Sequence, residues 1–69
     1  MPTFPASTSV ASADYNPATR VLTIQFRGSG KHYSYHGVPQ PVYDGLLNAS
    51  SKGRYYDAFI KGRYTFSRY

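Results

Sequence analysis

Residues 20–36 read Arg-Val-Leu-Thr-Ile-Gln-Phe-Arg-Gly-Ser-Gly-Lys-His-Tyr-Ser-Tyr-His, and the period of this stretch decides the fold. Side chains of an extended strand alternate between its two faces. Leu22, Ile24 and Phe26 therefore share one face, while Val21, Thr23, Gln25 and Arg27 share the other. The first set is apolar throughout and belongs to a core; the second is mostly polar and belongs to water. A slip of one residue would expose all three large apolar groups, so the register is firmly specified. Gly28-Ser29-Gly30 supplies a tight reversal, because glycine accepts positive φ at little cost. Lys31 to His36 then returns as the partner strand. On it Tyr33 and Tyr35 point one way, and His32, Ser34 and His36 point the other.

Upstream, Ser9 to Tyr15 reads as a further short strand, with Val10 and Ala11 to Ala13 as small apolar positions. Asn16-Pro17-Ala18 is the turn that follows it. Met1 to Thr8 holds two prolines among small polar residues and reads as a flexible lead-in. Downstream the period changes. Gly37-Val38-Pro39 ends the sheet, and Pro39 suits the first turn of a helix, where a missing N–H costs nothing. Val42, Leu46 and Ala49 recur at helical spacing, and Tyr43 pairs with Leu47. Ser50 and Ser51 interrupt this stripe, and either can cap a second helix. That helix carries Tyr56, Phe59, Ile60 and Tyr64 on one face, with Asp57 spaced to pair with Lys61. Gly62 is placed to fray or end it, and residues 65–69 form a tail of ambiguous conformation. The expected architecture is α+β: a three-stranded antiparallel sheet followed by two helices packed on one face, in the order β-β-β-α-α. It divides into a lead-in (1–8), one domain (9–64) and the tail (65–69).

A chain of 69 residues holds one domain. At that size folding buries only about 60% of the unfolded surface, so the core is small. With no cysteine, disulfides and thiolate metal sites are excluded, which suits a reducing cytoplasm. The first residues lack the basic and apolar regions of a signal peptide. No apolar run approaches the roughly 20 residues of a membrane span. The large side chains are 8 Tyr and 4 Phe, with no Trp, so the core is built from rings whose hydroxyls want partners. Arg20, Arg27 and Lys31 against Asp14 and Asp44 leave residues 1–51 at 3 − 2 = +1, whereas Lys52, Arg54, Lys61, Arg63 and Arg68 against Asp57 leave residues 52–69 at 5 − 1 = +4. Clustered positive charge interleaved with aromatics suits a polyanion; solvated helix faces also carry such charge.

The order of these features resembles the KTSC domain, named for the C-terminus of some lysyl-tRNA synthetases and also found as free-standing bacterial proteins. The resemblance rests on Tyr15, on Leu22-Ile24-Phe26, on Tyr33-Ser34-Tyr35 with Val38-Pro39, and on Leu46-Leu47 with Ala49. It continues through Ser51-Lys52-Gly53, Tyr55-Tyr56-Asp57, Ile60-Lys61 and Tyr64, and so spans about residues 9–64. At position 57 this chain has Asp where Asn is commoner in the family. The resemblance implies no catalytic residue and no established activity. It suggests RNA binding through the family's company with a tRNA-handling enzyme, and it makes Tyr33, Tyr35, Val38 and Pro39 motif residues of mainly structural role.

Catalysis finds little support in the residues, with no glutamate and three aspartates. His32 and His36 are four residues apart on a strand, about 13 Å along it, which is too far for one metal ion. Gly28-Ser29-Gly30-Lys31 joins two strands and opens no helix, so it is not a phosphate loop. Ser51, Lys52 and Gly53 are the candidate anion site, because a helix start presents free N–H groups and glycine admits a ligand to the backbone. Capping alone explains the same residues. Lys52, Arg54, Tyr55, Lys61 and Arg63 are the candidate nucleic-acid contacts, by ring stacking plus phosphate pairing. Tyr33 and Tyr35 are either a stacking platform or the floor under the helices. Leu22, Ile24 and Phe26 cannot fill that floor alone, which favours the second role.

The expectation is a small basic cytoplasmic domain that binds RNA (tRNA or single-stranded) or another nucleic acid. The alternative is a protein–protein interaction module without catalytic activity. Neither reading requires a cofactor, a metal or a membrane.

Overall fold

The computed structural model describes residues 3–5 and 8–68. The elements run β1 (Val10–Asn16), β2 (Val21–Phe26), β3 (His32–Tyr35), α1 (Gln40–Asn48), α2 (Lys52–Phe59) and β4 (Phe66–Arg68). The four strands form one antiparallel sheet in sequence order. The α+β class and the two helices agree with the sequence reading. The fourth strand does not, because the reading stopped at three. Residues 66–68 of the expected tail pair with β3, placing Phe66 against Tyr35, Ser67 against Ser34 and Arg68 against Tyr33.

Residues paired across strands share a face. Leu22 pairs with Tyr35 and Ile24 with Tyr33, which puts the alternating apolar set and both tyrosines on one side. Both helices cover that side. Val10, Ala13, Leu22, Ile24, Tyr35, Val38, Leu46 and Ile60 make the buried core, and partly buried rings of Tyr15, Tyr33, Tyr43, Tyr55, Tyr56 and Tyr64 surround it. A register shift between Val10 and Ser12 is a β-bulge, and it lets Val10 and Ala13 both reach the core although they lie three apart. The helix-free face is polar. Its Ser12 and Ser34 are only 3% exposed, yet Ser12 donates to Gln25 Oε1 at 3.3 Å and Ser34 shares a 3.1 Å bond with Thr23.

The connections are also specific. In the β1–β2 turn the Asn16 side chain accepts from Ala18 N at 3.0 Å, and Arg20 N donates to Asn16 O at 2.7 Å. Arg20 holds the left-handed φ of 59°. Its carbonyl accepts from Val38 N at 2.9 Å, tying this turn to the start of α1. Pro39 caps α1 in an extended conformation, and Pro41 takes the first-turn position. Helix α2 is shorter than its spacing predicts. It ends at Phe59, Gly62 turns the chain at φ 76°, and Lys61 and Tyr64 lie beyond the helix. Asp57 and Lys61 are therefore not a pair on one helical face. Of the expected lead-in, residues 1, 2, 6 and 7 lie outside the described residues. Thr3 bridges Ser12, and Phe4 N donates to Ala11 O at 2.9 Å.

Candidate nucleic-acid interface

The expected site residues are clustered along α2 and the turn after it, but their tips do different things. Ser51 is the N-cap of α2, and its Oγ accepts from Arg54 N at 3.4 Å. Lys52 turns back to the preceding helix, where its Nζ donates to Leu47 O at 2.8 Å and Ala49 O at 2.7 Å. Those carbonyls belong to the end of α1, where terminal C=O groups lack helical partners and positive charge is favoured. The same ammonium stands 5.0 Å from the centre of the Phe4 ring. A Cβ on Gly53 would sit 2.9 Å from Ser9 Oγ, so Gly53 makes room for the entry to β1 rather than for the other helix. A cleft of about 690 Å³ lies beside this helix start, lined by Phe4, Ser9, Ser51, Lys52, Gly53 and Arg54 among others.

Tyr55 is a packing residue. Its hydroxyl donates to Val42 O at 2.9 Å across the two helices, and its ring lies 4.7 Å from that of Phe59. Burial, with Tyr64 nearby, pushes its hydroxyl pKa above the ordinary value. Gly45 on α1 is what lets this ring in, because a Cβ there would overlap it. Arg63 folds back so that Nε donates to Ala58 O at 3.0 Å, at the end of α2. Arg54 and Lys61 are exposed. Lys52, Tyr55 and Arg63 thus hold backbone carbonyls, while Arg54 and Lys61 reach outward.

The motif residues lie in and around the core. Tyr35 is 1% exposed, and its hydroxyl shares a hydrogen bond with that of Tyr56. Burial first, then this bond, pushes the Tyr35 pKa well above its usual value. Tyr33 is half-buried, edge-on to Phe26 at 5.2 Å and 5.4 Å from Phe66. Val38 is buried, and its carbonyl accepts from the Tyr15 hydroxyl at 2.6 Å.

A second cleft, of about 360 Å³, opens where α2 ends above β3 and β4. Phe26, Tyr33, Tyr35, Tyr56 and Phe66 line it, with Lys61 and Gly62. Of these, Lys61 is an expected binding residue, Tyr33 and Tyr35 are the rings read as a stacking platform or, by preference, as core, and Phe66 is not expected. The signal for Phe66 is faint: Phe66-Ser67-Arg68 offers a single alternation about a serine, with one ring where Tyr33-Ser34-Tyr35 has two. The histidines lie on the helix-free face, where His36 Nε2 is 3.3 Å from Ser67 Oγ. Among the described residues no three His, Cys, Asp or Glu side chains gather as a metal site, and no helix is long and apolar enough to cross a membrane.

The chain is similar to known proteins in fold and in sequence. A crystal structure of a KTSC domain protein from Yersinia pestis superposes with a TM-score of 0.88 at 39% identity, covering 93% of this chain and 89% of that one. A protein from Tsukamurella paurometabola is 40% identical over 58 residues, covering 84% of this chain and 85% of its own length. A lysine–tRNA ligase from Nostoc sp. is 39% identical over 64 residues, 93% of this chain. The match spans only 11% of that ligase, so the similarity concerns one small part of the enzyme. The sequence profile of the KTSC domain matches residues 6–64, and the chain belongs to the KTSC domain family.

Proposed function

We propose that this KTSC domain binds RNA through the basic surface formed by α2, the turn after it and β4. The observation that carries the reading is the exposure of Arg54, Lys61 and Arg68 on the segment that holds most of the net positive charge. Exposed cations on one stretch neutralise successive phosphates and release their counterions. Lys52 and Arg63 add positive charge to the same segment of chain while their tips hold carbonyls. The presence of a similar segment in proteins named lysine–tRNA ligases supports RNA as the polyanion.

Fluorescence anisotropy of labelled tRNA and of single-stranded RNA, at about 0.15 M salt, tests the reading. Binding tighter than that of a basic control protein matched to the net charge of +5 is the expected result. Equal or weaker binding overturns it. The second reading is a protein-docking surface, for which Phe59, 51% exposed on α2, is the ring to test. A pull-down that survives nuclease treatment and is lost in Phe59→Ser would favour docking over RNA.

A further inference from the structure

We propose that the cleft between the end of α2 and strands β3 and β4 is a subsite for a single unpaired nucleobase, with the adjoining phosphate on Lys61. The inference rests on the RNA reading and narrows it to single strands. Four separate elements bring rings to this one place: Phe26 from β2, Tyr33 and Tyr35 from β3, Tyr56 from α2 and Phe66 from β4. Phe66 is the exception among them. It is 54% exposed, although its ring lies only 5.4 Å from the rings of both Tyr33 and Tyr35. One side of Phe66 is packed on the sheet, and the rest stands in water at the edge of a concave space. A flat aromatic ligand entering there covers apolar surface that the fold leaves wet.

The size and chemistry of the cleft fit a base better than a peptide segment. Its volume of about 360 Å³ lies near the small end of ligand sites, enough for one ring system. Tyr35 and Tyr56 carry two hydroxyl protons and share one mutual bond, so the floor keeps one O–H to offer a polar base edge. Lys61 lines the space, and Arg68 shares a face with Tyr33 through their pairing. Among the described residues no carboxylate lines it, so a phosphate meets only positive charge. Bases stacked and paired inside a duplex cannot enter such a recess, whereas those of a single strand can.

The test compares an eight-nucleotide oligouridine with an RNA duplex of the same length, by anisotropy at about 0.1 M salt. The single strand is expected to bind about tenfold tighter than the duplex, and Phe66→Ala to remove about that factor for the single strand alone. The substitution leaves charge unchanged, and far-ultraviolet circular dichroism checks the fold. Phe66→Trp keeps a stacking ring and gives the chain its sole tryptophan. The emission of that indole should be quenched by oligouridine at saturating concentration. Equal affinity for both RNAs, or indole emission in the Phe66→Trp variant untouched by bound oligouridine, overturns the base subsite and leaves RNA binding through cations standing. Binding of neither RNA overturns the RNA reading and the subsite together.

Discussion

The hydroxyl of Tyr35 is bonded to the hydroxyl of Tyr56, joining the end of β3 to the side of α2 that faces it. Three aromatic segments meet around this pair, since Tyr35 also stacks on Tyr33 at 6.4 Å and lies 5.4 Å from Phe66. A core made of rings must satisfy its hydroxyls internally, and the described residues leave no buried side-chain polar atom without a partner.

Tyr35→Phe and Tyr56→Phe should each cost about 1 kcal/mol of stability, because each strands the other hydroxyl in a partly dry site. The double variant should cost less than the sum, with a coupling of about 1 kcal/mol. Urea denaturation of the four chains measures this. Strict additivity would show that the two hydroxyls are satisfied independently.

High pH should unfold the domain. Tyr35, Tyr43 and Tyr55 all have hydroxyl pKa values raised above the ordinary 10.0, each mainly by burial, with Asp14 and Asp44 adding to the effect at Tyr43. A raised pKa means that the folded chain holds protons that the unfolded chain releases. Their stabilising contribution is fully present below pH 10.0 and falls as pH rises toward the folded values. The fall from Tyr35 alone is on the order of 1 kcal/mol per pH unit. Thermal melts at rising pH should show a declining midpoint, and Tyr35→Phe should flatten that decline. A midpoint that stays level above pH 10.0 would contradict it.

Gly45→Ala should destabilise the domain although alanine favours helices. The gain in helix propensity is about 1 kcal/mol. Against it, the new methyl would meet Tyr55 Cζ at 2.7 Å and Cε2 at 2.9 Å. That ring is rigid, bonded to Val42 O and held by Phe59, so it cannot yield without losing the bond. Overpacking of this kind costs about 1–3 kcal/mol, and the net effect should be a loss of about 1 kcal/mol. Removing the ring first, as Tyr55→Ala, should abolish the penalty when chemical denaturation is repeated.

Much of this fold was legible because one strong pattern dominates it. Leu22, Ile24 and Phe26 alternate without exception, and Tyr33 and Tyr35 complete their face in the sheet as the alternation predicts. Strand β4 was not legible, because three residues give a single alternation and the pairing partner is some thirty positions away. The end of α2 was legible in part. Gly62 marks the stop and takes a left-handed φ, but Ile60 and Tyr64 keep helical spacing that overruns the last helical residue, Phe59. The basic residues show the deeper limit. A sequence displays charge and not its target, and only the packing of two helices puts Lys52 against the carbonyls of Leu47 and Ala49.

Arg20→Gly should stabilise the domain. Arg20 holds φ 59°, which costs a side-chain-bearing residue about 1–2 kcal/mol. Glycine relieves this strain and loses about half of the gain to the entropy of a freer unfolded chain. The backbone bonds to Asn16 and Val38 need no side chain. The expected result is a gain of roughly 0.5 kcal/mol in urea. Arg20→Val, β-branched and unable to adopt this φ easily, should lose stability in the same experiment.

Lys52 and Lys61 should separate structure from binding. Lys52→Ala removes two charge-assisted bonds to the end of α1 and should cost about 1–2 kcal/mol of stability. Lys61 lies exposed beside the aromatic cleft, and Lys61→Ala should change stability by less than about 0.5 kcal/mol. Binding reverses the order. For single strands the logarithm of affinity falls with the logarithm of salt at about −0.7 per phosphate contact, so about three contacts give a slope near −2. Lys61→Ala should reduce that slope by about 0.7, because one phosphate loses its partner. Lys52→Ala should leave the slope nearly unchanged while lowering the denaturation midpoint, since its ammonium is already committed to carbonyls. Titrations of a single-stranded oligonucleotide between about 0.05 and 0.2 M salt measure both slopes. A slope changed by Lys52→Ala and untouched by Lys61→Ala would place the phosphate path at the start of α2, away from the cleft.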